Sequence, residues 1–101
     1  MSGNKLTSLA EKVFSPCKNL RKLVLSYNEI VDIDMDAFDN LNNLEELDMS
    51  NNKINTIPHK ALAQLKNLKN LNLGNNTLVV RYGQFPSSLV SMDLSYNKLE
   101  N

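Results

Sequence analysis

Residues 44–54 read Leu-Glu-Glu-Leu-Asp-Met-Ser-Asn-Asn-Lys-Ile, and the pattern of this segment returns along the chain. Its apolar positions and its asparagine follow the form L-x-x-L-x-L-x-x-N-x-L. The same form occurs 24 residues earlier, at residues 20–30, and 24 residues later, at residues 68–78. A fourth copy begins at residue 89, after a shorter step of 21 residues. Four copies in register indicate an internal structural repeat.

The spacing within the unit predicts a strand followed by a turn. Apolar residues alternate over x-L-x-L, which is typical of a short strand with one buried face. Strands that recur once per unit are expected to stack in parallel into a single sheet. The asparagine after each strand both donates and accepts, so it can satisfy backbone groups that the turn leaves free. This predicts an asparagine ladder of Asn28, Asn52, Asn76 and Asn97, with Asn4 as an outlying member.

The rest of each unit predicts a return segment whose apolar side chains enter the core from the far side. Residues 59–66 favour one or two helical turns, whereas residues 34–41 favour a short 3₁₀ or irregular stretch. Cys17 stands in a column that otherwise holds Leu41 and Leu65, which predicts a buried, inert thiol. The larger side chains expected in the core are Phe14, Phe38, Leu62 and Phe85.

These motifs resemble the leucine-rich repeat family, and in particular its 24-residue subtype, L-x-x-L-x-L-x-x-N-x-L-x-x-L-P-x-x-x-F-x-x-L-x-x. Pro58 matches the proline of that subtype, whereas Ala10 and Asp34 do not. The resemblance implies an α/β fold: a right-handed β–α superhelical solenoid with a short parallel sheet on its concave face and mostly 3₁₀ or irregular convex returns. Residues 1–101 would then form one domain, made of a part-repeat at 4–19, repeats at 20–43, 44–67 and 68–88, and a final half-repeat at 89–101.

Composition argues against several classes of function. The 11 Lys and Arg residues balance the 11 Asp and Glu residues, whereas nucleic-acid binders usually have a basic excess. Apolar runs fall short of the ~18 residues that insertion into a membrane requires. One cysteine and one histidine leave little material for a metal site. A nucleophile–base pair and a phosphate loop are also missing, so we expect a non-enzyme without a cofactor.

The resemblance implies a protein ligand, because leucine-rich repeat proteins usually bind with the concave sheet. The candidate residues point outward from the strands or follow them. The alternative is that these polar side chains only solvate the sheet, which any exposed sheet face requires. The ligand-binding candidates are Lys22, Val24, Tyr27, Glu46, Asp48, Asn70, Asn72, Asp93 and Tyr96.

The two ends of the repeat array suggest a second function. The cysteine-bearing caps of longer extracellular relatives are missing, so strand edges and core residues are expected to be bare, and bare edges invite pairing. A head-to-tail homo-oligomer would cover them; the alternative is a fragment of a longer solenoid. The subtype favours an extracellular location, whereas an unpaired Cys17 and the lack of an apolar signal core in residues 1–5 favour the opposite. The residues expected at these self-association ends are Leu6, Leu9, Met92, Leu94 and Leu99.

Overall fold

The computed structural model describes residues 5–80 and 88–99, in which short strands alternate with turns and return segments. One α-helix and one 3₁₀ turn, Ser15–Cys17, occur in this part of the chain. The strands and the helix are, in chain order, β1 (Ser8–Leu9), β2 (Lys22–Val24), β3 (Asp32–Ile33), β4 (Glu46–Asp48), α1 (His59–Ala63), β5 (Asn70–Asn72), β6 (Val79–Val80), β7 (Ser91–Asp93) and β8 (Lys98–Leu99).

One parallel sheet contains a strand from each of the four copies of the repeat, in the order β2-β4-β5-β7. Equivalent residues face one another: Leu23 pairs with Leu47, Leu47 with Leu71, and Leu71 with Met92. The predicted parallel stack, with one strand per unit, is therefore confirmed. The sequence pattern did not predict the two short parallel pairs that form later in the unit, β1 with β3 and β6 with β8.

The core lies between this sheet and the return segments. The pattern leucines are buried there because their side chains alternate inward along each strand, and Leu25, Leu44 and Leu73 have no exposed surface. Phe38 enters from the return side, and Phe14 stacks on it with ring centroids 6.3 Å apart. Leu62 is likewise buried, as predicted, whereas Phe85 lies outside the described residues.

The asparagine ladder forms as predicted and joins each turn to the preceding one. Asn52 Nδ2 donates to the carbonyl of Met49 in its own turn and to that of Leu25 in the preceding turn, both at 3.0 Å. Its Oδ1 accepts from the backbone N–H of Ile30 at 3.1 Å. Asn76 repeats this arrangement one turn later, and the side chains of Asn28 and Asn97 also bridge successive turns. Asn4 lies outside the described residues.

The returns differ between units, as the sequence predicted. Helix α1 supplies a single short helix in the second full unit, where Pro58 precedes the first helical residue. The equivalent stretch of the first full unit forms turns instead, with Asp34 Oδ1 accepting from the backbone N–H of Asp36 at 2.8 Å. The D-x-D spacing of Asp34 and Asp36 therefore belongs to the hydrogen bond that closes this turn.

The prediction that Cys17 is buried was wrong, because its side chain is exposed. Its column mates Leu41 and Leu65 have no exposed surface. Those two leucines lie between successive coils, whereas no described coil lies beyond Cys17. In the first described unit, this position of the repeat therefore leaves its residue exposed.

The residues expected at the ends also differ from one another. Leu9 is only 3% exposed, because β1 pairs with β3 and Leu9 joins the core, so the expectation of a bare Leu9 was wrong. Leu6 and Leu94 are partly buried against the same core. Met92 is 39% exposed. Leu99 lies in β8, and its side chain is outside the described part of the structure.

Candidate functional site

The outward side chains of β2, β4, β5 and β7, with the turn residues that follow them, form the surface that we call the sheet face. The register aligns its candidates into two columns across strands about 4.8 Å apart. The structure thus brings the predicted residues together on one surface. The first column is Lys22, Glu46, Asn70 and Ser91, and the second is Val24, Asp48, Asn72 and Asp93.

Ion pairs neutralise the charges around the first column. Lys22 Nζ lies 3.9 Å from Glu46 Oε2, and Lys69 Nζ lies 4.0 Å from Glu45 Oε1. All four side chains are substantially exposed, so each pair contributes little to stability. Asp48 and Asp93 in the second column form no ion pair with any described residue. On the strands of the sheet face, the carboxylates without an ion pair to a described residue thus lie in the second column.

The polar residues of the second column also hold the turn that follows each strand. Asp48 Oδ1 accepts from the backbone N–H of Ser50 at 3.0 Å and from its hydroxyl at 2.7 Å. Asp93 accepts the same two bonds from Ser95, at 2.9 and 2.7 Å. The hydroxyl bond first, and then the backbone bond, lower the pKa of the Asp93 carboxyl below its usual value. The D-x-S spacing was the overlooked sequence signal for this arrangement.

A turn position just before each ladder asparagine has a left-handed backbone in all four units. The two inner units place Asn51 and Asn75 there, with φ of 57° and 54°. The outer units place Tyr27 and Tyr96 there, with φ of 58° and 57°. Asparagine tolerates this conformation better than a bulky side chain does. The two tyrosines are also 65% and 84% exposed, so they lie in solvent on a strained backbone.

A glycine interrupts a column of serines beside a pocket in the sheet face. Gly74 aligns with Ser50 and Ser95, and a Cβ added to it would lie 3.2 Å from Asn72 Oδ1 and 3.3 Å from Ser95 Oγ. Gly74 also lines an open pocket of about 240 Å³ that reaches Asp93 and Tyr96. Reasoning from sequence missed Gly74, although its departure from the serine column was visible.

Other kinds of site find no support in the part of the chain that the structure describes. Within residues 5–80 and 88–99, no three His, Cys, Asp or Glu residues are grouped so that they could hold a metal ion. The same residues contain no helix with the length and apolarity needed to span a membrane. The sheet face and its pocket are therefore the candidate functional surface.

A family model described as leucine rich repeat matches residues 1–54 and, in an overlapping match, residues 18–78. The chain belongs to the leucine-rich repeat family. Leucine-rich repeats generally mediate protein–protein interaction and are typically non-catalytic binding modules. The matches end at Leu78, but β7 continues the leucine-rich repeat sheet in register with β5. No curated protein matches the chain.

Proposed function

We propose that this leucine-rich repeat chain binds a protein ligand through the sheet face and catalyses no reaction. The observation that supports this most strongly is the pair Tyr27 and Tyr96. Both are exposed on left-handed backbone, at a position where the inner units carry asparagine. The fold therefore does not need an aromatic residue there, and such strain is concentrated at functional positions in proteins.

The composition of the sheet face supports the same proposal. Tyrosine is enriched among the residues that contribute most to the affinity of protein interfaces. The two tyrosines follow the two outermost strands, and polar side chains such as Asp48 and Asn72 lie between them. We take this face to be the concave side of a right-handed solenoid, as the family resemblance implies. A ligand seated across it would contact both aromatic anchors.

The test begins with peptides selected from a random display library on the immobilised chain. An enriched peptide is synthesised, and its affinity is measured by fluorescence anisotropy for the wild type, Tyr27→Asn and Tyr96→Asn. The inner units already accommodate asparagine at this position, so both variants should fold. We expect each tyrosine variant to lose roughly tenfold or more in affinity, which is typical of an aromatic anchor.

The matched control is Met35→Asn, because Met35 lies on a return segment and is 51% exposed. This variant also replaces an exposed apolar side chain by asparagine, but away from the sheet face. Its affinity for the peptide should equal that of the wild type. If Met35→Asn weakened binding while both tyrosine variants bound normally, the proposed surface would be wrong.

A second candidate function is self-association through the edges of the sheet. Strands β2 and β7 are its outer strands, and the inward-pattern residue Met92 on β7 is 39% exposed. Unpaired strand edges can pair with another copy, and a head-to-tail contact would give a ring or filament. Sedimentation velocity over a wide range of concentration tests this, with Met92→Lys as the variant. A wild type that stays monomeric throughout would eliminate the candidate.

A further inference from the structure

We propose that the pocket beside Gly74 receives one basic side chain, arginine or lysine, of the protein ligand. The inference rests on the proposed function and specifies the chemistry of the partner at one point of the sheet face. The pocket is open to solvent and measures about 240 Å³. Pockets for whole small molecules typically measure ~300–1,000 Å³ and enclose their ligand, so this pocket fits a single projecting side chain better.

The charge of the pocket favours a cation. Asp93 lines it, and among the described residues only one of its oxygens, Oδ1, accepts hydrogen bonds, both from Ser95. The second oxygen remains available to a ligand. None of the described side chains that line it is basic, and Lys22 and Lys69 of the neighbouring strands are paired with glutamates. A cation entering the pocket would therefore meet an unneutralised carboxylate.

The polar and aromatic walls favour the same occupant. Tyr96 lines the pocket and is 84% exposed, so its ring is available to a partner. Ammonium and guanidinium groups are attracted to the face of a tyrosine ring. The amides of Asn51 and Asn75 also line the pocket, and the Nδ2 of Asn75 donates to the Oδ1 of Asn51. Carboxylate, aromatic ring and amide oxygen together suit a side chain with an apolar stem and a cationic head.

The absence of a side chain at Gly74 makes this combination specific to the third full unit. Its equivalents Ser26, Ser50 and Ser95 carry a Cβ and a hydroxyl, and a Cβ at Gly74 would lie 3.5 Å from Asp93 Oδ1. A serine there would add a Cβ and a hydroxyl to this wall and narrow the pocket beside Asp93. The pocket can therefore be narrowed, or its charge removed, with residues that neighbouring units already carry.

The experiment uses the full chain, isotope-labelled for NMR, and three capped tripeptides as probes. The central residue of the probes is arginine, lysine or citrulline, and citrulline matches the shape of arginine without its charge. We expect the arginine and lysine peptides to shift the backbone amide signals of Gly74, Asn75 and Ser95 saturably. Citrulline should produce much smaller shifts. Equal shifts by citrulline, or no shifts at millimolar arginine peptide, would overturn the proposal.

Two variants introduce residues that occur at the equivalent positions of neighbouring units. Asp93→Asn removes the charge and supplies the residue found at position 72, and Gly74→Ser narrows the pocket with the residue found at position 50. Each should weaken binding of the arginine peptide at least about threefold, which is the scale of one exposed charge contact. Met35→Asn, on a return segment away from the sheet face, is the control and should bind this peptide normally. Unchanged affinity in Asp93→Asn would contradict the inference even if Gly74→Ser were misfolded.

The display-selected peptide separates this inference from the proposed function. If that peptide depends on Tyr27 but is indifferent to Gly74→Ser and Asp93→Asn, the sheet face binds protein and the pocket proposal fails. If it is indifferent to both tyrosines as well, the proposed function fails. Binding that depends on Tyr27, Asp93 and Gly74, with a basic residue enriched in the selected peptides, supports both.

Discussion

The second and fourth strands of the sheet have the same residue pattern and very different surroundings. Leu47 on β4 and Met92 on β7 occupy one column of the register, yet Leu47 is 2% exposed and Met92 is 39% exposed. β4 lies between two strands, whereas β7 has only β5 as a neighbour in the sheet. A residue at an inward position of the repeat is therefore buried only when an adjacent coil also covers it.

Substitutions in this column should show the largest difference between the two regions. We expect Leu47→Ala to lower the free energy of unfolding by about 2–5 kcal/mol, because it leaves a cavity between packed coils. Met92→Ala should cost less than about 1 kcal/mol, because solvent already reaches that side chain. Urea unfolding of both variants measures the difference. Equal losses would mean that Met92 is covered in solution, for example by another copy of the chain.

The ladder asparagines provide a second, smaller comparison. Asn52 is buried and makes hydrogen bonds to both its own turn and the preceding one, so Asn52→Ala leaves buried backbone groups without partners. We expect a loss of about 3 kcal/mol in the free energy of unfolding. Asn97 makes similar bonds in a partly exposed setting, where water can replace them. Asn97→Ala should therefore cost only about 1 kcal/mol.

The control for the ladder is Asn55→Ala, since Asn55 is exposed and stands outside the ladder column. Its unfolding free energy should match that of the wild type. A loss at Asn97 as large as the loss at Asn52 would contradict the idea that exposure separates inner from outer rungs.

The repeat made most of the fold predictable from sequence. The leucine columns predicted the parallel sheet, and the asparagine column predicted the ladder that joins successive turns. Residues 59–66 gave the short helix α1. These predictions succeeded because each depends on contacts between adjacent units of known spacing. Cys17 and Leu9 failed because their burial depends on what covers the first unit, and the repeat pattern does not contain that information.

The candidate site was predictable in position but not in detail. Alternation along the strands correctly placed Asp48 and Asp93 outward. It could not reveal that one oxygen of each is occupied by the serine two residues later, because turn geometry decides that bond. Gly74 was missed for a different reason. Its effect arises from the space between two neighbouring strands, so it becomes visible only when the register is known.

The turn position with left-handed backbone allows one more comparison between the inner and outer units. Replacing Tyr27 by asparagine, the residue of the inner units, should raise the free energy of unfolding by about 0.5–1 kcal/mol, because it relieves backbone strain. The reverse change, Asn51→Tyr, should lower it by a similar amount. Thermal unfolding of both variants tests the pair. A stabilised Tyr27→Asn that also loses the display-selected peptide would show that the tyrosine serves binding at the expense of stability.

The smallest expected effect concerns protonation at the outer strand β7. Hydrogen bonds from the hydroxyl and backbone N–H of Ser95 lower the pKa of Asp93 below its ordinary value of 3.8. The folded-state pKa is thus below the unfolded one, so the ionised carboxylate stabilises the fold above about pH 4. This stabilisation disappears as the pH falls through the folded-state pKa. Its magnitude should be small, because Asp93 is exposed to solvent.

Ser95→Ala isolates the cause of this shift. The variant removes the hydroxyl donor and retains the backbone N–H donor, so the pKa of Asp93 should rise part of the way towards 3.8. An NMR titration of the side-chain carboxyl carbon measures it directly. Ser26→Ala is the matched control, because the residue two positions before Ser26 is Val24, which carries no carboxylate. A pKa of Asp93 that did not change in Ser95→Ala would mean that the hydroxyl bond does not persist in solution. Oδ1 of the carboxylate would then accept only the bond from the backbone N–H of Ser95.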